Sequence, residues 1–276
     1  MPWFPDFVAA AELARRETRA AGHADPIAHY LTALTSGDAH ELETTWPGHI
    51  VVLDPYAGEV RGHRHLHQFV RTSQAFLAER LVRVDPVGST SVGGRAVVEL
   101  VAHLDLDGEP VTWPVAVVAE SVDDISATFR TYGSQWPVVR RRPIRVPILD
   151  SDPTAEPGDV VARYLDALDE GDRDGAVATF TPDGYVQEPI GPNTVHRGTD
   201  ALTRYFTRCF STGGGIALER CRVTDDGVRC ALEYNCVRWG GQPVPAQAGL
   251  AVFERGAGGL LGAARYYDDV EAPVGR

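Results

Sequence analysis

The feature that most constrains this chain is an internal repeat. Asp25 opens the run DPIAHYLTALTSGD, and Asp159 opens the similar run DVVARYLDALDEGD 134 residues later. The same offset relates further pairs along the two halves, namely Tyr30 and Tyr164, Asp54 and Glu188, Arg95 and Arg229, Glu99 and Glu233, and Glu120 and Glu254. Similarity at one steady offset is the signature of a duplicated structural unit. We therefore predict two copies of one domain in tandem.

Proline separates the two copies. The intervening run RRRPIRVPILDSDPTAEPG carries four prolines, which block both helix propagation and central-strand pairing and favour an extended connector. We predict domains over residues 23–139 and 158–276, joined by a linker over residues 140–157. Residues 1–22 belong to neither copy, and their apolar spacing predicts an N-terminal helical arm.

Charge and composition exclude several classes of partner. The net charge of -12 argues against nucleic acid or an anionic membrane surface, because both require a basic face. The sequence shows neither a secretory signal pattern nor a long apolar window, which predicts a cytoplasmic protein that does not enter the membrane. The four cysteines form no C-x-x-C pair, which predicts reduced core thiols rather than disulfides or a zinc knuckle.

Each copy shows helical patterns followed by strand patterns. In the second copy Asp159 is an expected N-cap, Tyr164 lies in the apolar stripe of the first helix, and Gly171 provides the stop signal. Alternating apolar runs separated by glycine-containing turns follow, as in an antiparallel meander. This order predicts an α+β fold in which helices cover one face of a curved antiparallel sheet and can enclose a cavity with it.

The run VVARYLDALDEGDRDGAVATFTPDGYVQEPIGPNTVHRGTDALTRYF resembles the opening half of ketosteroid isomerase and of the SnoaL-like polyketide cyclases, members of the NTF2-like superfamily. The resemblance covers about 115 residues of the second copy closely and the first copy more loosely. The tandem arrangement also resembles the two-domain epoxide-opening cyclases of polyether biosynthesis. The resemblance implies two cone-shaped α+β domains that act without a cofactor.

The resemblance also implies roles for particular residues. Tyr164 matches the oxyanion-hole tyrosine of the isomerase, and Glu188 matches its proton-shuttling carboxylate. Tyr30 and Asp54 match the same positions in the first copy. The terminal strand resembles that of several cyclases and epoxide hydrolases and adds Tyr267 and Asp269 as candidates. The second oxyanion donor of the isomerase aligns with Gly249 and Val115, which cannot donate, so the steroid reaction itself is not implied.

These residue types suit acid–base chemistry in a hydrophobic cavity. Removal of water raises the pKa of a carboxyl group toward neutrality, and a tyrosine hydroxyl can donate to an oxygen on which charge develops. We therefore expect an isomerase or cyclase that acts on a hydrophobic small molecule of the polyketide or terpenoid type. The more complete motif favours the second copy as the working site.

Further polar and aromatic side chains are candidates for contact with the ligand. The alternation of RCALEYNCV places Glu233 and Asn235 on one sheet face, and Glu99 occupies the matching face of the first copy. These residues bind substrate if that face lines the cavity, and they are ordinary charges if it faces water or the other domain. Trp113, Tyr132 and Trp239 are candidates to line the cavities and contact the substrate. If instead they fill the cavities together with Tyr234, no substrate of useful size fits.

Two alternatives to this function remain open from the sequence. The chain can be a binding or assembly module whose two sheets pack face to face as an intramolecular pseudo-dimer. It can also be an epoxide hydrolase, for which Arg265 with Asp268 or Asp269 is the only candidate constellation.

Three histidines of the run RGHRHLHQF, namely His63, His65 and His67, suggest a metal site, but no acidic or cysteine partner stands at a recognised spacing. We therefore predict no metal and place them at the exposed start of a helix.

Overall fold

Two compact units make up the chain, and they divide between Arg140 and Arg141. The computed structural model describes residues 26–189 and 194–270, so the predicted arm over residues 1–22 and the predicted cap Asp25 lie outside the described residues. We refer to the units as domain 1 and domain 2. Each contains helices and one six-stranded sheet, which confirms the predicted tandem α+β fold.

The elements follow the same order in both domains, except that among the described residues domain 1 has one further short α-helix after its last strand. Domain 1 contains α1 (Pro26–Ser36), α2 (His40–Thr45), β1 (Ile50–Asp54), β2 (Gly58–Arg61), α3 (His63–Arg80), β3 (Leu81–Val92), β4 (Arg95–Leu106), β5 (Glu109–Asp123), β6 (Ser126–Tyr132) and α4 (Trp136–Val139). Domain 2 contains α5 (Asp159–Glu170), α6 (Arg173–Ala178), β7 (Phe180–Gln187), β8 (Val195–Arg197), α7 (Thr199–Cys209), β9 (Ile216–Asp225), β10 (Arg229–Trp239), β11 (Gln242–Arg255) and β12 (Leu261–Tyr267).

The two sheets share one topology. Their strand orders are β2-β1-β6-β5-β4-β3 and β8-β7-β12-β11-β10-β9. Most neighbours are antiparallel, as the turn signals predict, but β1 pairs in parallel with β6 and β7 pairs in parallel with β12. The parallel pair arises because the chain leaves the first hairpin, forms a helix and a three-strand meander, and returns in the original direction.

The helices bury one face of each sheet. Tyr30 of α1 and Tyr164 of α5 are both fully buried, as the apolar stripes predict. In β4 the even-numbered residues from Ala96 to Leu104 join the domain 1 core, and in β10 the even-numbered residues from Cys230 to Cys236 join the domain 2 core. Strict alternation therefore sends the odd-numbered side chains of these strands to the opposite sheet face.

The proline-rich segment lies partly along domain 2. The Arg145 carbonyl accepts a hydrogen bond from the backbone N–H of Ala248 in β11, and the backbone N–H of Asp152 donates to the Arg220 carbonyl in β9, both at 2.8 Å. The finer domain limits stay predictions. All four cysteines are buried free thiols, as expected. Among the described residues, no helix has the length and hydrophobicity needed to span a membrane.

A glycine ends the first helix of domain 2. Gly171 has φ +73°, and a Cβ there would lie 2.8 Å from the Gly214 backbone. We predict that Gly171→Ala lowers the free energy of unfolding of domain 2 by more than the roughly 1–2 kcal/mol of left-handed strain alone. Gly213→Ala is the matched control, because Gly213 has φ +77° and open space around it. Urea unfolding midpoints measure both, and equal effects of the two substitutions would contradict the prediction.

Candidate active site

Domain 1 encloses a cavity of about 680 Å³. It lies between α1, α3 and the helix-facing side of the sheet, and α4 contributes Val138 and Val139 to its wall. The wall is mostly apolar and includes Leu34, Phe69, Phe76, Leu100, Ala102, Trp113, Val115 and Val117. Small-molecule sites commonly combine this size with apolar walls and a few polar groups.

Tyr30 is the most buried polar side chain that lines this cavity. Its side chain is fully buried and stacks on Phe129 with ring centroids 4.5 Å apart. The Tyr30 hydroxyl makes no well-formed hydrogen bond within the described part of the chain. Burial raises the pKa of Tyr30, the negative charge of Asp54 raises it further, and the Thr131 side chain offsets only part of the rise. The hydroxyl is therefore protonated and can donate to a guest.

Asp54 stands at the end of β1 and also lines the cavity. Its Oδ1 atom accepts hydrogen bonds from the backbone N–H groups of Tyr56 and Ala57, at 2.8 and 2.9 Å. These bonds fix the direction of the carboxylate. Asp54 thus shapes a turn and also places a carboxylate on the cavity wall.

The corresponding cone of domain 2 is nearly solid. Only about 50 Å³ of space remains beside Tyr164, among side chains that include Tyr205, Tyr234 and Trp239. The Tyr164 and Tyr266 hydroxyls are 2.7 Å apart and share a hydrogen bond. The Tyr234 hydroxyl donates to Asp268, and Trp239 Nε1 donates to the Cys209 carbonyl at 3.1 Å. Tyr164 is therefore already partnered inside the protein.

Glu188 is engaged at the mouth of the domain 2 cone. One of its carboxylate oxygens lies 2.5 Å from His196 Nε2 and 2.7 Å from Arg208 Nη2. Its side chain is 31% exposed. The sequence favours the second copy because its motif is more complete, whereas the structure places the room for a ligand in the first.

Four positions that the repeat relates differ in side-chain size between the two cones, and they explain why domain 1 holds more space than domain 2. Cross-strand register pairs Tyr234 with Gly249 in domain 2 and Leu100 with Val115 at the same place in domain 1. A Cβ at Gly249 would lie 2.5 Å from the Tyr234 ring, so the missing side chain makes room for that ring. The repeat also sets Tyr266 against Thr131 and Asp268 against Gly133. Domain 2 thus carries the larger side chain at three of the four positions, and these side chains, Tyr234, Tyr266 and Asp268, fill the cone.

The terminal strand of domain 2 corrects two predicted positions. Tyr267 and Asp269 are buried but do not line the cone, whereas Tyr266 and Asp268 do. A shift of one residue exchanges the two faces of a strand, and the sequence alone does not reveal which tyrosine of the Tyr266-Tyr267 pair points inward. Sequence reasoning therefore missed Tyr266.

The polar residues of the opposite sheet face do not reach either cavity. Glu99, Glu233 and Asn235 stand at odd-numbered positions of β4 and β10, whose even-numbered side chains face the helices. All three are nevertheless buried, and Asn235 donates to the Leu149 carbonyl at 3.0 Å. Tyr132 likewise alternates with Thr131, which is the residue that lines the cavity. Of the proposed substrate contacts, only Trp113 and Trp239 face a cone.

The acid–arginine–acid constellation does not form inside the domain 2 cone. Arg265 lies on the side of β12 opposite to Tyr266, and its guanidinium donates to Glu254 and to the Tyr185 hydroxyl, each at 3.1 Å. The equivalent Arg130 donates to Glu120 at 2.8 Å in domain 1. The same buried arginine–glutamate pair in both copies indicates a structural role.

The histidines at the start of α3 acquire an acidic neighbour in the structure. Glu43 of α2 approaches both His63 and His67, and these three are the described residues whose donor atoms cluster closely enough for one ion. Sequence spacing missed Glu43 because it precedes His63 by 20 residues and belongs to another helix. His65 instead lines the large cavity.

Comparison with known proteins agrees with the architecture. A family model described as a SnoaL-like domain matches residues 27–129 and again residues 161–261. The chain belongs to the SnoaL-like family. The match recurs in both halves of the chain and therefore supports the tandem arrangement of two domains of this family.

Solved structures of similar fold each correspond to one part of the chain. A provisionally assigned polyketide cyclase from Sinorhizobium meliloti is 23% identical, with 40% of this chain and 94% of that chain covered and a TM-score of 0.33. SalBIII, an epoxide hydrolase/cyclase-like enzyme in pyran ring formation in the polyether salinomycin, is 24% identical. The match covers 39% of this chain and 86% of that chain, with a TM-score of 0.34. An NTF2-like protein from Cytophaga hutchinsonii is 13% identical. The match covers 39% of this chain and 85% of that chain, with a TM-score of 0.32.

Asp268 makes the stability of domain 2 depend on pH. Burial raises its pKa to about 7; Asp269 adds to the rise, while the hydrogen bonds from Tyr234 and Val270 and the charge of Arg142 oppose it. The folded protein therefore keeps a proton that the unfolded chain releases near its ordinary pKa of 3.8. The proton on Asp268 stabilises the folded domain fully below about pH 4, and this contribution to the free energy of unfolding is lost as the pH rises toward about 7.

We predict that Asp268→Asn removes this loss. Between about pH 4 and about pH 7, the free energy of unfolding of the wild-type domain should fall by up to about 4 kcal/mol more than that of the variant. Urea unfolding at several pH values measures the slope, with exposed Asp200→Asn as the control. Identical slopes for wild type and Asp268→Asn would show that Asp268 does not take up the proton.

Proposed function

We propose that domain 1 is a cofactor-independent isomerase or cyclase that acts on a hydrophobic small molecule, in which Asp54 moves a proton and Tyr30 donates a hydrogen bond to the oxygen on which charge develops. One observation carries the proposal. A fully buried hydroxyl without a well-formed hydrogen bond lines a cavity of about 680 Å³ whose wall also holds a carboxylate. A buried polar group that lacks a partner costs about 1–3 kcal/mol, and a guest oxygen would remove that cost.

The cavity wall supports an uncharged guest. The described residues that line it include the acids Asp54 and Glu59 and no lysine or arginine. An anionic ligand would meet repulsion there, and a strongly polar ligand would lose hydration against the apolar wall. A neutral ring system with a carbonyl or hydroxyl group satisfies both conditions, which agrees with a polyketide-like or terpenoid-like substrate.

The proposed step is a proton transfer balanced within the site. The Asp54 carboxylate takes a proton from a carbon next to a substrate carbonyl, and the electron pair moves to the carbonyl oxygen. Tyr30 donates a hydrogen bond to that oxygen as its charge develops. Return of the proton from Asp54 to another carbon completes an isomerisation. In a ring closure the carbon nucleophile instead attacks a second carbonyl in the same molecule, and the alkoxide that forms takes the proton back from Asp54.

Domain 2 is proposed to be non-catalytic. The hydroxyls of Tyr164 and Tyr266 satisfy one another, and Glu188 is held by His196 and Arg208. The filled cone favours the structural-module alternative for this half of the chain, and it makes the domain 2 residues suitable internal controls.

We predict that the wild-type protein accelerates exchange of acidic carbon-bound hydrogen for deuterium in octalone, a neutral bicyclic enone. Asp54→Asn should reduce this rate at least about 100-fold, because the amide cannot take up the proton. Tyr30→Phe should reduce it by about 10²–10³-fold, the usual effect of losing one oxyanion donor. Exchange is followed by NMR in deuterium oxide.

Glu188→Gln and Tyr164→Phe are the matched controls in domain 2 and should leave the rate unchanged. Binding of octalone is measured separately by NMR line broadening. Octalone that binds to wild-type domain 1 without accelerated exchange would refute the catalytic proposal, and loss of exchange only in the domain 2 variants would move the site to the second cone.

A second prediction concerns the cavity itself. Thr131→Tyr introduces the residue that fills the equivalent position in domain 2, where Tyr266 bonds to Tyr164. The new phenol should pair with Tyr30 and reduce binding of the neutral dye Nile red at least about tenfold in a fluorescence titration. Thr131→Val leaves the cavity open and is the control. Unchanged dye affinity in a folded Thr131→Tyr protein would place the bound dye elsewhere.

A further inference from the structure

Three metal-ligating side chains converge between α2 and α3 of domain 1. His63 Nδ1 lies 2.5 Å from one carboxylate oxygen of Glu43, and His67 Nε2 lies 3.0 Å from the other. The two imidazole rings are 4.3 Å apart between centroids. All three donor atoms lie within 4.8 Å of one another, so small side-chain rotations can direct them to one ion.

The surrounding fold fixes these positions. His63 and His67 are separated by one helical turn of α3 and therefore project from the same helix face. Leu66 of α3 and Leu42 of α2 are buried in the domain 1 core and anchor the two helices beside the cluster. The ligands thus come from two helices rather than from a loop.

The cluster also has an open side. Glu43 and His63 border a cleft of about 360 Å³, whose wall continues through His49, Arg61 and Gly62. The His63 side chain is 75% exposed, whereas those of His67 and Glu43 are 30% and 24% exposed. An ion can therefore enter from solvent and keep water on its remaining coordination positions.

We infer that Glu43, His63 and His67 form a binding site for a divalent transition-metal ion of the Zn²⁺ type. Two imidazole nitrogens and one carboxylate are a ligand set that suits Zn²⁺, with a further position left for water. Ca²⁺ and Mg²⁺ prefer oxygen ligands alone, and Cu⁺ prefers sulfur. The arginine on the cleft wall, Arg61, is paired with Glu59, which reduces its repulsion toward an incoming ion.

The site belongs to domain 1 and not to the common fold. The repeat places Val177, Thr199 and Thr203 at the three corresponding positions of domain 2. The fold thus forms in domain 2 without these ligands. The same stretch of α3 that carries His63 and His67 also supplies His65, Gln68 and Phe69 to the wall of the large cavity. A bound ion would join α2 to α3 and make that wall more rigid.

Isothermal titration of the metal-free, untagged full chain with Zn²⁺ tests the inference. Wild type should show one tight site that His63→Ala, His67→Ala and Glu43→Gln each weaken at least tenfold. His40→Ala is the matched control, because His40 lies exposed on α2 outside the cluster, and it should bind as wild type does. Wild-type binding that is undetectable, or that survives all three substitutions, would reduce the cluster to hydrogen-bonded side chains and overturn the inference.

A second measurement reports the coordination directly. Co²⁺ bound by wild type should give the visible absorption of a low-coordinate nitrogen and oxygen site, and Glu43→Gln should lose or shift it. Zn²⁺ should also raise the melting temperature of wild-type domain 1 by mass action and leave that of the His63→Ala, His67→Ala double variant unchanged. Equal stabilisation of both proteins would contradict the assignment.

Discussion

The interior of each domain depends on which group forms a hydrogen bond with the hydroxyl of one buried tyrosine. This tyrosine belongs to the first helix of the domain, and its side chain is fully buried. A phenol that loses its water must bond to protein, to a guest, or carry an energetic penalty. In domain 2 the protein supplies the partner, since Tyr164 bonds to Tyr266. In domain 1 the equivalent strand position is Thr131, and the Tyr30 hydroxyl borders open space. The same fold thus yields one solid and one hollow domain.

Much of the fold is predictable from local pattern and from the repeat. The buried tyrosines, the glycine stop after α5 and the strand-rich second half of each copy follow from periodicity and turn residues. The parallel pairing of β1 with β6 does not, because it joins segments more than 70 residues apart and depends on how the meander folds back. Local propensity carries no information on such a contact.

The candidate site was less accessible to sequence reasoning, for two physical reasons. The Tyr266-Tyr267 and Asp268-Asp269 pairs offer identical chemistry on both strand faces, so register alone decides which member enters the cone. Motif completeness also says nothing about volume. The volume can be inferred by comparing the two copies. In domain 1 the inward positions hold Leu100, Thr131 and Gly133. The corresponding residues of domain 2 are Tyr234, Tyr266 and Asp268, and these larger side chains indicate a filled cone.

The pairing of Gly249 with Tyr234 has an evolutionary consequence. A methyl group at position 249 would lie 2.5 Å from the Tyr234 ring and would force that ring to move. Any substitution at that glycine would therefore have to be accompanied by a smaller residue at position 234, and the two sites should vary together. Ligand capacity in this half of the chain can then be gained or lost through coupled changes at very few positions, while the backbone of the sheet stays the same.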